Sequence, residues 1–299
     1  MAAPGVIRTQ LPAEPELQAF AAAAAQLLVE RQPRSPGLRA VSRRVGVGLQ
    51  HLDHRDYAPG DEVRHIDWRQ TARLRRPILR RFESESVSDW TLLLDASSSM
   101  SVHGGAKWQA AVQVAAALSF ALLHLGHRVG LLAFGSQLLA QCPRGRGQRH
   151  YAAIARQLLA LQPAPRGERS ELGVCAPSLH DASSVFVLGD FLADDAMCRD
   201  LGALRQRCTA LHAMQMRSDA ETRLAPAGEV DLVDAESGRQ ARVMADAQAE
   251  AIAATARAAM TARLQAFCLR HGIAFTDWEI GQPWRWALLQ HLMRARANC

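Results

Sequence analysis

The sequence predicts an α/β fold in which a mainly parallel central sheet is covered by helices on both faces. From residue 90 onward, short apolar segments alternate with longer helical patterns, as in crossover units that join parallel strands. The short segments are apolar throughout, which is typical of strands buried on both faces. The 299 residues suffice for a large core, and one or two domains are expected.

The first part of the chain differs from this pattern. Residues 15–32 form an Ala-rich predicted helix, and Pro-Arg-Ser-Pro-Gly at 33–37 breaks it. Residues 38–85 are strongly charged without a long apolar run, so we expect an irregular extension that packs on the main domain. The predicted division is 1–37 for the N-terminal helix and linker, 38–86 for the extension and 87–299 for the main domain.

The main domain alternates between predicted strands and helices. The strands are 90–94, 128–134, 184–188, 209–216 and 273–278, and the helices are 107–125, 148–161, 172–180, 193–207 and 247–270. Residues 112–125 are apolar nearly all round and should form a central buried helix. In 247–270, the larger apolar residues lie near helical spacing, namely Ile252, Met260, Leu264 and Phe267, and Arg257 and Arg263 are free to face water. Two short segments flank Asp-Ala-Glu-Ser-Gly at 234–238, which predicts a small hairpin inserted at about 226–246.

Composition limits the class of protein. Hydrophobic content is 48% and charged content 21%, as in ordinary globular proteins, and a net charge of +6 is common among them. The six cysteines are scattered without a Cys-x-x-Cys pair, which predicts reduced thiols in a cytoplasmic protein. No secretory signal is evident, and Gln113, Ser119 and His124 interrupt the longest apolar run, so no membrane span is expected.

A cluster of oxygen donors follows the first strand of the main domain. Residues 90–100, Trp-Thr-Leu-Leu-Leu-Asp-Ala-Ser-Ser-Ser-Met, lead an apolar strand directly into Asp95-x-Ser97-x-Ser99. Compact oxygen ligands suit a hard divalent cation such as Mg²⁺, with Mn²⁺ or Ca²⁺ as alternatives. Ser-rich turns also satisfy their own backbone and cap helices, so a purely structural role stays open.

Two more donors are expected at the same sheet edge, because the carboxyl ends of parallel strands meet there. Asp190 ends the strand predicted at 184–188, although a turn residue would also fit. Ser170 lies in a loop before a helix and offers a third hydroxyl, but it could equally be a helix N-cap. The predicted metal-binding set is Asp95, Ser97, Ser99, Ser170 and Asp190.

This set resembles the metal-ion-dependent adhesion site of von Willebrand factor A domains. The resemblance implies a Rossmann-like fold, direct coordination by the two serines, an aspartate acting mostly through water, and one position left open for a partner's carboxylate. Those domains usually carry threonine where this chain has Ser170. Serine keeps the ligand oxygen but lacks the methyl group that restricts the rotamer.

A second segment resembles the bacterial family catalogued as domain of unknown function 58. Residues 57–68 contain every fixed residue of its Tyr-x-x-Gly-Asp-x-x-Arg-x-Ile-Asp-Trp pattern, and the likeness covers roughly residues 38–292. We expect Trp68 to be a packing anchor, and Arg64 could pair with Asp67. The residues of this signature either hold the extension in place or bind a partner: Asp56, Tyr57, Gly60, Asp61, Arg64, Asp67, Trp68 and Arg73.

The family resemblance implies a non-enzymatic, metal-dependent protein-interaction module. Such proteins are often encoded beside MoxR-type AAA+ ATPases and are thought to help them assemble or activate other complexes. The partner, such an ATPase or its client, would offer an Asp or Glu to the metal. The oligomeric state is left open.

Two other classes of function were considered. A phosphatase-like enzyme would need a second carboxylate two residues after Asp95, where Ser97 stands, and no phosphate loop or hydrolase motif is present. The run from Arg69 to Arg81 carries six arginines and no acidic residue, so it could contact nucleic-acid phosphates. It lacks interleaved aromatic residues for base stacking, and we expect neither catalysis nor nucleic-acid binding.

Overall fold

The structure is a computed structural model that describes residues 7–28, 50–57, 66–83, 88–165, 169–180, 183–191, 195–221 and 228–297. The chain divides into two compact units. The larger unit combines Met1–Leu28 with Ser88–Cys299, and the smaller unit is Val29–Val87. The first helix therefore belongs to the larger unit, and the smaller unit is inserted after it in the sequence.

The helices, in chain order, are α1 (Glu14–Leu28), α2 (Trp68–Leu74), α3 (Val102–His124), α4 (Gly147–Ala160), α5 (Asp195–Arg207), α6 (Ala247–Arg270) and α7 (Trp284–Ala297). The strands are β1 (Gln50–Asp56), β2 (Ile78–Glu83), β3 (Asp89–Asp95), β4 (Arg128–Phe134), β5 (Leu138–Gly145), β6 (Ser184–Gly189), β7 (Ala210–Arg217), β8 (Gly228–Val233), β9 (Gln240–Ala245) and β10 (Ala274–Glu279). Short 3-10 helices lie at Ser98–Ser101, Leu172–Ser178 and Asp219–Glu221.

A six-stranded sheet forms the centre of the larger unit, in the order β10-β7-β6-β3-β4-β5. Every neighbouring pair is parallel except β4 and β5, which are antiparallel, so the prediction of a mainly parallel sheet is confirmed. Strand β5 was not predicted. Its residues are mostly half-buried or exposed, as an edge strand permits, and it therefore lacks the continuous apolar run of the central strands.

Helices cover both faces of the sheet. Side chains of a strand alternate between the two faces, so neighbouring residues of one strand belong to different clusters. Leu92 and Leu94 of β3 belong to one buried cluster, together with residues of α1, α3, α4 and α7. Leu93 belongs to a second cluster, formed with residues of α5, α6 and the 3-10 helix at Leu172–Ser178. That 3-10 helix replaces the longer helix predicted at 172–180, and it contains Pro177.

Helix α3 is the central buried helix that the sequence predicted. Its first residues, His103, Gly104 and Gly105, have positive φ angles, so regular helical geometry begins after Gly105. Within the described part of the chain, the stretch Ser98–His124 has the length and apolar composition of a membrane span, with 83% of its most apolar window buried.

The smaller unit corrects the prediction of an irregular extension. Strands β1 and β2 pair as an antiparallel ladder, and the short helix α2 precedes β2. Main-chain hydrogen bonds form such a ladder and need no apolar run. The charged sequence therefore gives no signal of these strands. Asp67 is the N-cap of α2, where its carboxylate accepts hydrogen bonds from the N–H groups of Arg69 and Gln70.

Helix α6 has the predicted bounds, 247–270, but the exposure of its side chains differs from the expected pattern. Leu264 is buried, but Ile252 is 62% exposed and Met260 is 38% exposed, because only part of this helix lies against the sheet. Arg257, expected to face water, donates instead to the Glu221 carboxylate at 2.8 Å. The hairpin predicted before this helix is confirmed as the antiparallel pair β8–β9.

Candidate functional site

Asp95 ends β3 and is completely buried. Its Oδ1 accepts a hydrogen bond from the Ser97 N–H at 2.8 Å, and its Oδ2 accepts one from the Ser170 hydroxyl at 2.8 Å. Burial, together with the charge of Asp190, raises the pKa of Asp95 to about 6. Gly189 on the adjacent strand makes room for this carboxylate, since a Cβ there would lie 2.8 Å from the Asp95 Cβ.

The two motif serines present neighbouring hydroxyl groups. The Oγ atoms of Ser97 and Ser99 are 2.9 Å apart, and both residues are buried. Ser97 is the N-cap of the 3-10 helix at Ser98–Ser101 and contacts Asp95, and this turn brings the Ser99 hydroxyl to that of Ser97. The hydroxyl pair therefore follows directly from the spacing Asp95-x-Ser97-x-Ser99.

Asp190 follows β6 and is bound by a lysine that the sequence analysis did not single out. The Lys107 Nζ of α3 donates to Asp190 Oδ2 at 2.7 Å and also pairs with Glu221. Burial alone would lower the pKa of Lys107, but the charges of Asp190 and Glu221 raise it above its usual value. Only 3% of the lysine side chain is exposed, so its charge is held inside the protein by these carboxylates.

The turn of the β8–β9 hairpin lies against the motif loop. The Ser98 hydroxyl donates to the Ala235 carbonyl at 2.8 Å, and the next residue, Glu236, is half-buried. Burial raises the pKa of Glu236 to about 7, and the charges of Asp190 and Asp95 add to the increase. The sequence indicates the turn at 234–238, but no spacing in it relates Glu236 to the site.

All five predicted ligands therefore lie at one sheet edge. Ser170 is not the N-cap of the following 3-10 helix, since Glu171 holds that position, and the Ser170 hydroxyl is directed to Asp95 instead. Asp190 is more than a turn residue, because it forms the buried ion pair with Lys107. Among the described residues, no group of three or more His, Cys, Asp or Glu side chains is placed to hold a metal ion, so any cation here would depend on the serine hydroxyls.

The chemistry of these donors fits a hard divalent cation. The proposed donors are hydroxyl and carboxylate oxygens, which suit Mg²⁺ or Mn²⁺ better than a metal that prefers nitrogen or sulfur. A buried acceptor also lies beside the strand ends. The Gln215 amide donates to the carbonyls of Asp190 and Phe191, and its Oε1 has no hydrogen-bond partner within the described part of the chain.

The signature residues of the smaller unit have local roles where they are described. Asp56 forms an exposed ion pair with Arg76 at 2.9 Å, and the Tyr57 N–H donates to the Pro77 carbonyl. Trp68 is 66% exposed, so the expectation of a buried packing anchor is wrong. Arg73 is exposed in the last turn of α2. Gly60, Asp61 and Arg64 lie outside the described residues, and with them the predicted pairing of Arg64 with Asp67.

The arginine run is divided between two elements of the smaller unit. Arg69 and Arg73 lie on α2, while Arg80 and Arg81 lie on β2. Arg75 ends the helix in a left-handed conformation with φ of 51°. The run is thus not one continuous helical stripe.

The fold and the site define an α/β protein with a carboxylate and hydroxyl cluster at the carboxyl edge of a mainly parallel sheet. The chain belongs to the family described as "Protein of unknown function DUF58", whose profile matches residues 53–263. This match begins in β1 and ends within α6, so it includes the smaller unit's signature, the cluster and the hairpin.

Curated relatives occur in several bacteria. "Uncharacterized protein Rv1480" of Mycobacterium tuberculosis is 30% identical over 199 residues, which are 64% of this chain and 62% of that protein. A Mycobacterium bovis protein, "Uncharacterized protein Mb1516", matches equally well. "Uncharacterized protein YeaD" of Bacillus subtilis is 29% identical over 156 residues, 50% of this chain and 37% of that protein. The matched region thus spans about three fifths of the length of the mycobacterial relatives.

Two solved structures are distant neighbours. A conserved hypothetical protein BatB from Bacteroides thetaiotaomicron has a TM-score of 0.41 at 10% identity, covering 70% of this chain and 99% of that one. An aerotolerance-related membrane protein from Bacteroides fragilis has a TM-score of 0.41 at 11% identity, covering 69% and 99%.

Proposed function

We propose that this protein is a non-enzymatic interaction module of the von Willebrand factor A type, which binds a protein partner through a divalent cation at the sheet edge. Ser97 and Ser99 would hold the cation directly, while Asp95, Ser170 and Asp190 would act next to it. The observation that carries the proposal is the hydroxyl pair at 2.9 Å beside the buried Asp95 carboxylate.

The electrostatics of the cluster support a cation. Asp95 is buried near the negative charge of Asp190, and both effects raise the pKa of Asp95. No ion pair joins Asp95 to a basic side chain within the described residues. A divalent cation would offset this negative charge and would attract an Asp or Glu side chain of a partner.

The proposed setting is the cytoplasm, and the proposed partner is a MoxR-type AAA+ ATPase or the protein complex that such an ATPase assembles or activates. Binding is favoured over catalysis because Ser97 stands where a phosphatase-like enzyme would carry its second carboxylate. A metal-mediated contact gives a partner a strong, orientation-dependent attachment that chelation can reverse.

Manganese binding tests the metal site directly. Isothermal titration calorimetry of the full chain should show one Mn²⁺ site at the proposed cluster. Ser97→Ala should weaken that site roughly tenfold or more, because it removes a ligand oxygen. Ser101→Ala is the matched control: its hydroxyl lies in the same 3-10 helix but donates to the Ser98 carbonyl, so this variant should bind Mn²⁺ like the wild type.

Partner capture tests the rest of the proposal. The wild-type protein should retain a MoxR-type ATPase or its client in Mg²⁺ and release it in EDTA, whereas Ser97→Ala should retain neither. Absence of Mn²⁺ binding by the wild-type protein would contradict the metal site. Capture that is equal with Mg²⁺ and with EDTA would contradict the metal-mediated contact.

A further inference from the structure

We propose that Glu236, in the turn of the β8–β9 hairpin, is this chain's own carboxylate ligand for the cation. The hairpin turn would then occupy the coordination position that a partner's Asp or Glu otherwise takes. This inference rests on the proposed function, because it assigns the remaining ligand of the same metal site.

The turn is attached to the motif loop by a hydrogen bond next to Glu236. The Ser98 hydroxyl donates to the Ala235 carbonyl at 2.8 Å, and the next residue, Glu236, is half-buried at the same place. Ser99 is one of the two serines proposed to hold the cation. Glu236 is therefore the residue after a direct contact with the motif loop, although its segment lies far away in the sequence.

The turn itself is ordered by Asp234. Its Oδ1 accepts a hydrogen bond from the Glu236 N–H at 3.0 Å, and its Oδ2 accepts one from the Ser237 hydroxyl. Asp234 thus uses its charge within the turn and is exposed, whereas Glu236 is half-buried against the cluster. The same turn holds two acidic residues, and only Glu236 is directed to the cluster.

The charges around Glu236 favour a role as a metal ligand over a purely structural role. Lys107 pairs with Asp190 and Glu221, but no ion pair to Glu236 is found among the described residues. Placing Glu236 near Asp95 and Asp190 without a cation is unfavourable, because like charges in a partly buried site repel. A divalent ion between the serine hydroxyls and Glu236 would offset that repulsion.

The hairpin is suited to being displaced. Strands β8 and β9 form a separate two-stranded sheet, and most of their residues are exposed. A two-stranded hairpin has little stability of its own, so moving its turn away from the cluster should cost little. A partner's carboxylate would compete with Glu236 for the cation, and partner binding would release the turn.

The test measures Mn²⁺ affinity of the full chain with and without excess acetate, a small carboxylate that can replace a lost ligand. Glu236→Gln keeps the side-chain shape but removes the charge, and Glu229→Gln makes the same change at an exposed position of the same hairpin. Glu236→Gln should weaken Mn²⁺ binding roughly tenfold or more, and acetate should restore part of the loss. The wild type and Glu229→Gln should not respond to acetate.

A second measurement locates the acetate. Line broadening of ¹³C-acetate by bound Mn²⁺ should be larger with Glu236→Gln than with the wild type, because only the variant leaves a coordination position for acetate. The role of Glu236 would be overturned if the two proteins had equal Mn²⁺ affinity, equal line broadening and no response to acetate. The proposed metal site would still be supported in that case if Ser97→Ala lost Mn²⁺ binding. A wild-type protein that binds no Mn²⁺ would overturn both proposals.

Discussion

Replacing Lys107 by methionine should destabilise the larger unit strongly. Methionine has a similar length and fills the same space, so the change removes the charge with little loss of packing. The lysine side chain is 3% exposed, and its partners Asp190 and Glu221 are 8% and 16% exposed. The variant would leave two carboxylates in the interior without their shared cation.

The magnitude follows from the burial of this group. Breaking a buried ion pair by removing one partner costs about 3–5 kcal/mol, because the remaining charge is poorly solvated. Glu221 keeps Arg257 as a second partner, so the loss falls mainly on Asp190. Arg257→Met is the matched control. Arg257 is 31% exposed, and its pair with Glu221 should contribute about 1 kcal/mol.

Equilibrium unfolding in urea, followed by circular dichroism in EDTA, measures both variants against the wild type. We expect a much lower midpoint for Lys107→Met than for Arg257→Met. A loss below about 1 kcal/mol in Lys107→Met would refute the argument, since that is the range of exposed pairs. Asp190 would then be accommodated without the lysine.

Two further changes probe the site and the core. Gly189→Ala should weaken Mn²⁺ binding in calorimetry and cost about 1–3 kcal/mol in urea unfolding, because the added methyl would lie 2.9 Å from Asp95 Oδ2. Gly202→Ala is the control, since its methyl would meet Phe267 at an ordinary 3.5 Å and should have neither effect. Equal effects of the two changes would contradict the steric argument. His212 is buried, and burial lowers its pKa from 6.5 to about 4, so the unfolded chain takes up the proton first. The contribution of neutral His212 to the free energy of unfolding is complete above pH 6.5. It is lost as pH falls towards 4, by about 3 kcal/mol in total. The raised pKa of Asp95 changes stability with pH in the opposite sense. The test therefore compares the free energies of unfolding in urea of the wild type and His212→Gln at pH 7 and pH 5. An equal pH dependence of the two proteins would contradict the role of His212.

The parallel core of the fold could be predicted from the sequence, because its strands are buried on both faces and appear as continuous apolar runs. The elements that were missed lack that signal. Strand β5 is an edge strand with polar residues, and β1 and β2 are charged strands that pair through their main chains. Helix α7 does carry a signal that could have found it, since Pro283 immediately precedes it and proline is favoured at helix beginnings.

The sequence predicts those residues of the candidate site that follow the ends of strands. Asp95 and Asp190 follow neighbouring parallel strands, and parallel topology alone brings such residues to one edge. Lys107 and Glu236 come from a helix and from a separate hairpin, and no periodicity relates them to that edge. A lysine among the buried residues of α3 was a usable sign, because a buried charge requires a partner.

The contact between α1 and α7 has a consequence for synthesis. Phe20 and Trp284 pack edge to face with their ring centroids 5.5 Å apart, and Arg296 donates to the Gln26 carbonyl at 2.6 Å. At ribosomal rates of about 5–20 residues per second, α7 follows α1 by tens of seconds. Part of the apolar face of α1 is exposed to solvent during that time. A ribosome stalled before α7 would therefore present a chaperone with an exposed helix and not with a nearly complete domain.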